Sequence, residues 1–401
     1  MRLHVIGLGG AGGRIADRLA ADHGDHPFLA GVHAFDTDMD ALGALDALGE
    51  ERRYRFGDAA GGDGLEGDLH AGRRLGDAHA SELGRAMDDQ GPSIAEAFLI
   101  VVGLGGAAGA GAAPALAAEL SRLYDAPVYA FGFLPARDET EEPDGDGPRS
   151  ASSREAGGAA SGAGAGGAAS SGDEPAPPPT HRPLAERNAA RTLDALSDEC
   201  AAVFPFDNAA WLRPSETLAG ARDRLNEVAA ERIAALFGAG ETPEGTATPQ
   251  QVLDASDIAR AAGDDGEIAV IGHATQAVEP PDSGSKFGLG LFGSSEPAEV
   301  DTSAAVSAIE TVIRKAARGK NTVEAPEGRA DRTLLVVGGP PAWLNREAIA
   351  DGRRWLAEET GSDAILSGDA PIPEGDEVFA VVVRSGIDEP GRVREIRETI
   401  G

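Results

Sequence analysis

The sequence predicts an α/β fold: a Rossmann-like parallel-sheet domain, a long central helix, and a smaller α/β domain after it. Three observations predict it. Short apolar runs alternate with helical stretches up to residue 134, which implies a parallel sheet covered by helices on both faces. Two of those runs pass directly into glycine-rich turns, at 7–13 and 105–111. One unbroken helical period, Thr217–Phe237, then separates this part from a second stretch of strands and helices.

The elements justify themselves in order. Leu3–Ile6 is a short buried strand, and Arg14–Ala21 reads as a helix after the first glycine turn. Gly31–Phe35 is a second strand, ending at Asp36-Thr37-Asp38. Ala97–Val102 is a third, running into the loop 103–111, and Pro114–Leu123 is the next helix, with proline at its first turn. Val128–Leu134 is a fourth strand. From Ala136 to about Arg182 the chain is Gly, Ala, Ser, Pro and acidic residues with almost nothing to bury, so it reads as a disordered acidic insertion. Order resumes with the helix Pro183–Leu196 and the strand Ala201–Phe206. In Thr217–Phe237, Leu218, Ala221, Leu225, Val228, Ala229, Ile233 and Leu236 recur at three- and four-residue steps, and Gly238-Ala239-Gly240 ends the run. The last part reads as strand Ile268–Ile271, loop Val278–Val300, helix Ala304–Ala317, strand Thr333–Val337, helix Arg346–Thr360 and strand Val378–Val383. The expected division is 1–215, 216–240 for the central helix, and 241–401.

Composition narrows the function. At 401 residues the chain is too long for a typical single domain, and 41% hydrophobic residues are enough for real cores. Asp and Glu number 67 against 35 Lys and Arg, and only Lys286, Lys315 and Lys320 are lysines. Such a surface disfavours nucleic acid, whose phosphates need basic patches, and reads as adaptation to salt. The lone cysteine, Cys200, excludes an intrachain disulfide and reads as a small buried hydrophobe. Ala97–Ala118 carries no charge, but its glycines and Pro114 make it a strand, loop and helix rather than a membrane span. The expectation is a cytoplasmic protein without a transmembrane segment.

The glycine turns carry the chemistry. Gly7-x-Gly9-x-x-Gly12 matches the dinucleotide fingerprint, and Asp36 stands where a ribose hydroxyl would be accepted, so this turn alone points to an NAD-dependent oxidoreductase. The second turn, Gly105-Gly106-Ala107-Ala108-Gly109-Ala110-Gly111, changes that reading. Two such turns on parallel strands suggest a cradle holding a polyphosphate from two sides. Neither ends in Gly-Lys-Ser/Thr, so backbone amides, helix ends and a metal ion must hold the phosphates.

The 105–111 turn resembles the GGGTGSG signature of the tubulin/FtsZ superfamily. Further blocks resemble its archaeal CetZ branch: FDNAAW at 206–211, LFGAGE at 236–241, LDASDI at 253–258, IRKAARGK at 313–320 and VVGGPPAWLNREAI at 336–349. The resemblance implies a cytoskeletal GTP-binding protein with a GTPase domain, a core helix and an activation domain. It implies GTP or GDP with Mg²⁺, head-to-tail filaments of the chain with itself, contact with related paralogues, and a role in cell shape. Under it, Gly9, Gly10, Gly12 and Gly13 lie beneath the phosphates, and Gly105, Gly106, Ala107, Ala108, Gly109, Ala110 and Gly111 cradle them from the other side. The stretch 61–72 would sense the terminal phosphate. Asn208 and Asn226 would read guanine, since an amide both donates and accepts. Asn188, Arg191 and Glu186 would face the ribose. Asp254 and Asp257 would be the catalytic acids, orienting water on nucleotide held by the next subunit. Taken by itself, that pair also reads as a helix N-cap with an acidic first turn.

The sequence departs from the signature at Ala107, Ala108 and Ala110. A hydroxyl donated to a phosphate is worth about 1.5–3 kcal/mol, so losing two weakens binding by roughly one to four orders of magnitude. Arg222 takes the place where relatives stack an aromatic ring on the base, and arginine can also stack there. Three functions therefore compete: a filament-forming GTPase, a degenerate paralogue that regulates filaments of active relatives without hydrolysing, and the oxidoreductase.

Overall fold

The computed structural model describes residues 1–57, 65–88, 92–140, 181–241, 249–279 and 300–401. Seven strands form one sheet: β1 (Leu3–Leu8), β2 (Leu29–Asp36), β3 (Arg53–Arg55), β4 (Ala97–Gly103), β5 (Val128–Leu134), β6 (Ala202–Asp207) and β7 (Glu267–Ile268). Their order is β3-β2-β1-β4-β5-β6-β7 and every pairing is parallel. Four strands form a second sheet: β8 (Val270–Ala277), β9 (Arg332–Gly339), β10 (Ala364–Pro371) and β11 (Glu377–Ser385), in the order β10-β9-β11-β8. Here β10 runs parallel to β9, and β11 antiparallel to both β9 and β8.

The helices are α1 (Gly9–His23), α2 (Met39–Gly43), α3 (Leu69–Ala86), α4 (Ala108–Leu123), α5 (Ala185–Glu199), α6 (Asn208–Trp211), α7 (Leu218–Phe237), α8 (Ala255–Ala262), α9 (Thr302–Arg318), α10 (Arg346–Thr360) and α11 (Gly391–Arg397). The strand period of two sorts the first sheet's side chains between two cores. Leu3 and Val5 join a core with Ala229, Ile233 and Phe237 of α7, and with Val336 and Val381 of the second sheet. Ile6 and Leu8 turn the other way, into a core with α4 and α5. The long helix α7 is thus the shared wall between the sheets, and the Thr217 hydroxyl caps its start by accepting from Gly220 N. A third core lies under α9 and α10.

Several elements differ from the sequence expectation. The expected strand Ile268–Ile271 splits at Ala269: β7 closes the first sheet and β8 opens the second. The first sheet therefore takes its last strand from beyond the central helix. Helix α4 begins at Ala108, so Pro114 lies inside it rather than at its start. Tertiary packing overrides proline there. An added Cβ at Gly111 would stand 2.3 Å from the carbonyl carbon of Gly72, so the backbones of α3 and α4 touch. The same contact explains α3 itself, a helix of 18 residues that the pattern hid. Its glycines each cost roughly 1 kcal/mol of helix propensity, but Gly72 and Gly76 lie against Ala107 O and Ala112 Cα, where a side chain could not fit. Strand β10 was hidden by Ser367-Gly368-Asp369 in its middle. The expected insertion falls mostly on 141–180, outside the described residues, as do residues 280–299 of the expected loop. Cys200 is buried and its thiol is pushed up to about 12 by desolvation, as befits a packing residue. Among the described residues no helix is long and apolar enough to cross a membrane.

Candidate functional site

The C-terminal ends of β1, β2, β4 and β5 open on one cleft of about 500 Å³. That is the scale of a small-ligand site, at the place where parallel α/β sheets bind ligands. Both glycine turns line it. From the first come Gly9, Gly10 and Ala11; from the second, Gly105, Gly106, Ala107, Ala108 and Gly109. The backbones of the two turns meet: an added Cβ on Gly9 would be 3.3 Å from Gly109 Cα. Gly9 also has φ +69°, which a residue with a side chain rarely adopts.

Two helices point their starts into this cleft. Neither α1 nor α4 has a side-chain cap. Helices α2, α3, α6, α7, α8, α9 and α10 are each capped by an Asp, Thr or Asn, whereas α5 and α11 are also uncapped but do not begin at the cleft. An uncapped start leaves free N–H groups and the positive end of the helix dipole for an anion. Other glycines of these turns serve packing instead. A Cβ on Gly12 would stand 1.9 Å from Val101 O, and one on Gly13 would rest on Leu45. Gly12, Gly13, Ala110 and Gly111, all expected beneath or around phosphates, do not line the cleft.

The other walls are side chains. Asn208 and Asn226 both line the cleft, from α6 and α7. Asn208 is buried, and its Nδ2 donates to Leu134 O at 2.9 Å. Glu186, Asn188 and Arg191 do not line it. They stand on α5, behind the second turn. Asn188 is a brace, its Nδ2 donating to Gly67 O and Gly106 O at 3.0 and 3.3 Å. Glu186 pairs with Arg392 at 2.7 Å, and the carbonyl of Arg191 accepts from Arg73. Of the stretch 61–72, residues 61–64 lie outside the described residues. Leu65, Glu66 and Gly67 line the cleft, whereas Leu69–Gly72 is the first turn of α3.

Sequence reasoning missed Arg14 and Arg182. The guanidinium of Arg14 reaches the cleft from α1; burial and the nearby Arg222 disfavour its charge, and its Nε is buried without a hydrogen bond. Arg182 donates to Gly105 O at 2.9 Å and to Glu139 at 3.1 Å. A basic residue one turn into the helix that follows a glycine turn was the available signal for Arg14. Asp36 lies on the floor, accepting from Thr37 N at 2.7 Å and Asp38 N at 3.4 Å. Burial pushes its carboxyl up to about 6, against those N–H bonds. Arg14, Arg182 and Arg222 face Asp36, Asp38, Glu66 and Glu139, and among the described residues no lysine lines the cleft.

Asp254 and Asp257 are elsewhere. They form a reciprocal cap on α8: Asp254 Oδ1 accepts from Asp257 N at 2.9 Å, and Asp257 Oδ2 accepts from Asp254 N at 3.3 Å. The Ser256 hydroxyl and the Asp257 N–H hold the Asp254 carboxyl below its usual range. The adjoining Leu253 packs by Gly240 and the amino terminus of Met1, at the start of β1. The cleft is at that strand's other end, and six residues of strand span about 20 Å. Within one chain the two carboxylates and the cleft stay apart. Among the described residues no cluster of three or more His, Cys, Asp or Glu could hold a metal.

A family model for the tubulin/FtsZ GTPase domain matches residues 2–144, and one for the tubulin-like CetZ C-terminal domain matches residues 215–400. Tubulin-like protein CetZ5 of Haloferax volcanii is 35% identical, over 100% of this chain and 91% of the relative. CetZ1 of the same organism is 32% identical, over 99% of this chain and 91% of its own length. Among solved structures, the fold is similar to CetZ1 from Haloferax volcanii as a GDP-bound monomer (TM-score 0.77, 28% identity, 99% of this chain and 98% of that one). It is also similar to CetZ2 from Haloferax volcanii as a GTPγS-bound protofilament (TM-score 0.73, 26% identity, 100% and 97%). FtsZ from M. jannaschii shares the fold at 18% identity, with a TM-score of 0.65 over 96% of this chain and 91% of that one. By its sequence along the whole length, the chain belongs to the tubulin-like CetZ family.

Proposed function

We propose that the chain binds GTP and GDP in the cleft between its two glycine turns and assembles head to tail with copies of itself. The observation that carries this reading is the convergence of two uncapped helix starts on one lysine-free cleft. The α1 and α4 amides would take the phosphates. Asn208 and Asn226 would take the guanine edge, with Arg14 and Arg222 beside it. Mg²⁺ would be held mainly by the phosphates, since among the described residues no cluster of carboxylates could hold it. GDP and GTPγS in the similar CetZ structures support the ligand class, and the CetZ2 protofilament supports assembly.

Hydrolysis would be completed by the next subunit. Asp254 and Asp257 lie a strand length from their own cleft, so only another copy can bring them to a nucleotide. A carboxylate whose acidity is strengthened by a hydroxyl and an N–H stays ionised at neutral pH and suits orienting water better than taking its proton. The cellular role would be cell-shape control, and the cytoplasm the compartment. The test is nucleotide content, turnover and sedimentation with GTP or GDP in molar KCl. No nucleotide bound at millimolar GTP and no nucleotide-dependent pelleting would overturn the reading.

Ala107 and Ala108, both lining the cleft, favour a second reading: a paralogue that binds weakly, does not turn over, and regulates filaments of active relatives. If the protein hydrolyses GTP faster than its Asp254→Ala/Asp257→Ala variant, that second reading fails. The family assignment leaves the oxidoreductase without support.

A further inference from the structure

The last helix, α11, lies far along the sequence from the cleft, yet it packs on the cleft's own supports. Val393 and Ile396 are buried in the core that contains α4 and α5. Between them and the cleft stands Arg392, with only 7% of its surface exposed. Its Nη2 donates to Glu186 Oε1 at 2.7 Å and to Pro135 O at 3.2 Å. Its Nη1 is 3.3 Å from Glu395. Burial raises the Asp207 carboxyl, and the Arg392 guanidinium offsets part of that rise.

Pro135 and Glu186 connect this guanidinium to the cleft wall. Pro135 lines the cleft, and so does Leu134, whose carbonyl receives the Asn208 amide. Asp207 caps α6 by accepting from Ala209 N at 3.0 Å, and α6 begins at Asn208. Glu186 is on α5, two residues from the Asn188 brace. One buried guanidinium therefore ties the end of β5 to the start of α5, with the β6–α6 corner within reach of its charge. Taking it away leaves a carboxylate and a carbonyl without their donor, and those segments free to shift.

We infer that Arg392 is a positioning residue for the base side of the cleft: acting through Glu186 and Pro135, the C-terminal helix fixes where Leu134, Pro135 and Asn208 stand. It sets both affinity for guanine nucleotide and preference for guanine over adenine. The inference rests on the reading that the cleft binds guanine nucleotide.

The test is titration of the full chain in molar KCl with fluorescent GDP and ADP, well below the melting temperature. Arg392→Met raises the GDP Kd about tenfold and narrows the preference over ADP. Glu186→Gln shifts it in the same direction by less, and the double variant is no worse than Arg392→Met, because both act through one contact. Arg397→Ala is the control. It breaks the pair with Asp194 at 2.8 Å, which also ties α11 to α5 but touches no wall of the cleft. It lowers the melting temperature and leaves Kd within about twofold. Arg392→Lys, which keeps the charge but not the fork, carries the test if Arg392→Met does not fold. Unchanged Kd in the Arg392 variants, Kd shifts that track melting temperature in both Arg392 and Arg397 variants, or additive losses in the double variant would each overturn the inference. If the unaltered chain binds no guanine nucleotide, it is the reading of the cleft that fails.

Discussion

The two glycine turns face the same cleft but obey different constraints. In the first, glycine stands at 9 and 10, which meet the cleft beside Ala11, and at 7 and 12, where the start of α1 presses on β1 and β4. In the second, glycine persists at 109 and 111, where a Cβ would enter the backbone of Leu8 or Gly72. Alanine replaces the signature's glycine at 107 and its hydroxyl residues at 108 and 110; 107 and 108 line the cleft, and 110 is buried away from it. In the second turn, then, contact between backbones holds glycine at 109 and 111, while 105 and 106 stay glycine where they line the cleft.

The strongest way to break this comparison is to add methyl groups. Gly12→Ala drives a Cβ to 1.9 Å from Val101 O, a backbone atom that cannot step aside. We expect a loss of several kcal/mol or no folded protein, read by thermal melting. In Gly10→Ala the nearest atom is the end of the Arg14 side chain at 3.3 Å, so the fold survives and nucleotide affinity falls. Equal melting temperatures for the two would refute the distinction.

Protonation tests the strands behind the turns. β1, which feeds the first turn, and its neighbour β2 carry a buried pair: His4 Nε2 and His33 Nδ1 are 2.9 Å apart, and burial lowers His4 to about 3 and His33 to about 4. Unfolded histidine takes a proton near pH 6.5, so between there and about 4 the unfolded chain binds more protons than the folded one. Stability is therefore lost as pH falls through that window, on the order of 1–2 kcal/mol per imidazole by pH 5. Asp36 works with the opposite sign. Its carboxyl is raised, so its desolvation penalty grows as pH rises from about 3.8 through about 6. Asp36→Asn should melt higher than the parent at pH 7 and equal to it near pH 4. Melting profiles of His33→Phe and Asp36→Asn across pH 4 to 8 check both signs.

Restoring hydroxyls sharpens the second turn. Ala108→Thr places a donor on the cleft and should tighten GDP binding about tenfold. Ala110→Ser puts its hydroxyl into a fully buried position off the cleft, so it should leave affinity unchanged and cost some stability. Titrations of both variants decide whether position 110 matters to the ligand. The smallest structural effect belongs to Asp254→Asn. Asparagine also caps helices, so stability should move by less than about 1 kcal/mol. Assembly-dependent turnover should nonetheless fall sharply in a GTPase assay.

Much of this fold was legible in the sequence because apolar runs such as Ala97–Val102 and Val128–Leu134 are buried on both faces and need no partner to be recognised. The arrangement of α3 was not legible. Its glycines read as loop until the backbone of α4 is known to press on them. The same limit holds at the site. Asn208 and Asn226 reach the cleft as their motifs implied, whereas Glu186, Asn188 and Arg191 share a helix whose relevant face only tertiary packing decides. The partner of Glu186 lies 206 residues away, beyond any local pattern.

At the rim of the cleft, Arg182 N donates to Glu139 O at 2.6 Å and its guanidinium grips the Glu139 carboxylate. The two flanks of 141–180 are thus tied to each other at this rim. Such a doorway accepts foreign cargo: closing a longer excursion costs only about 0.6 kcal/mol per doubling of its length. A fluorescent protein spliced between residues 140 and 181 would be carried without pulling on the sheet, and from that rim it would report directly on traffic at the nucleotide's entrance.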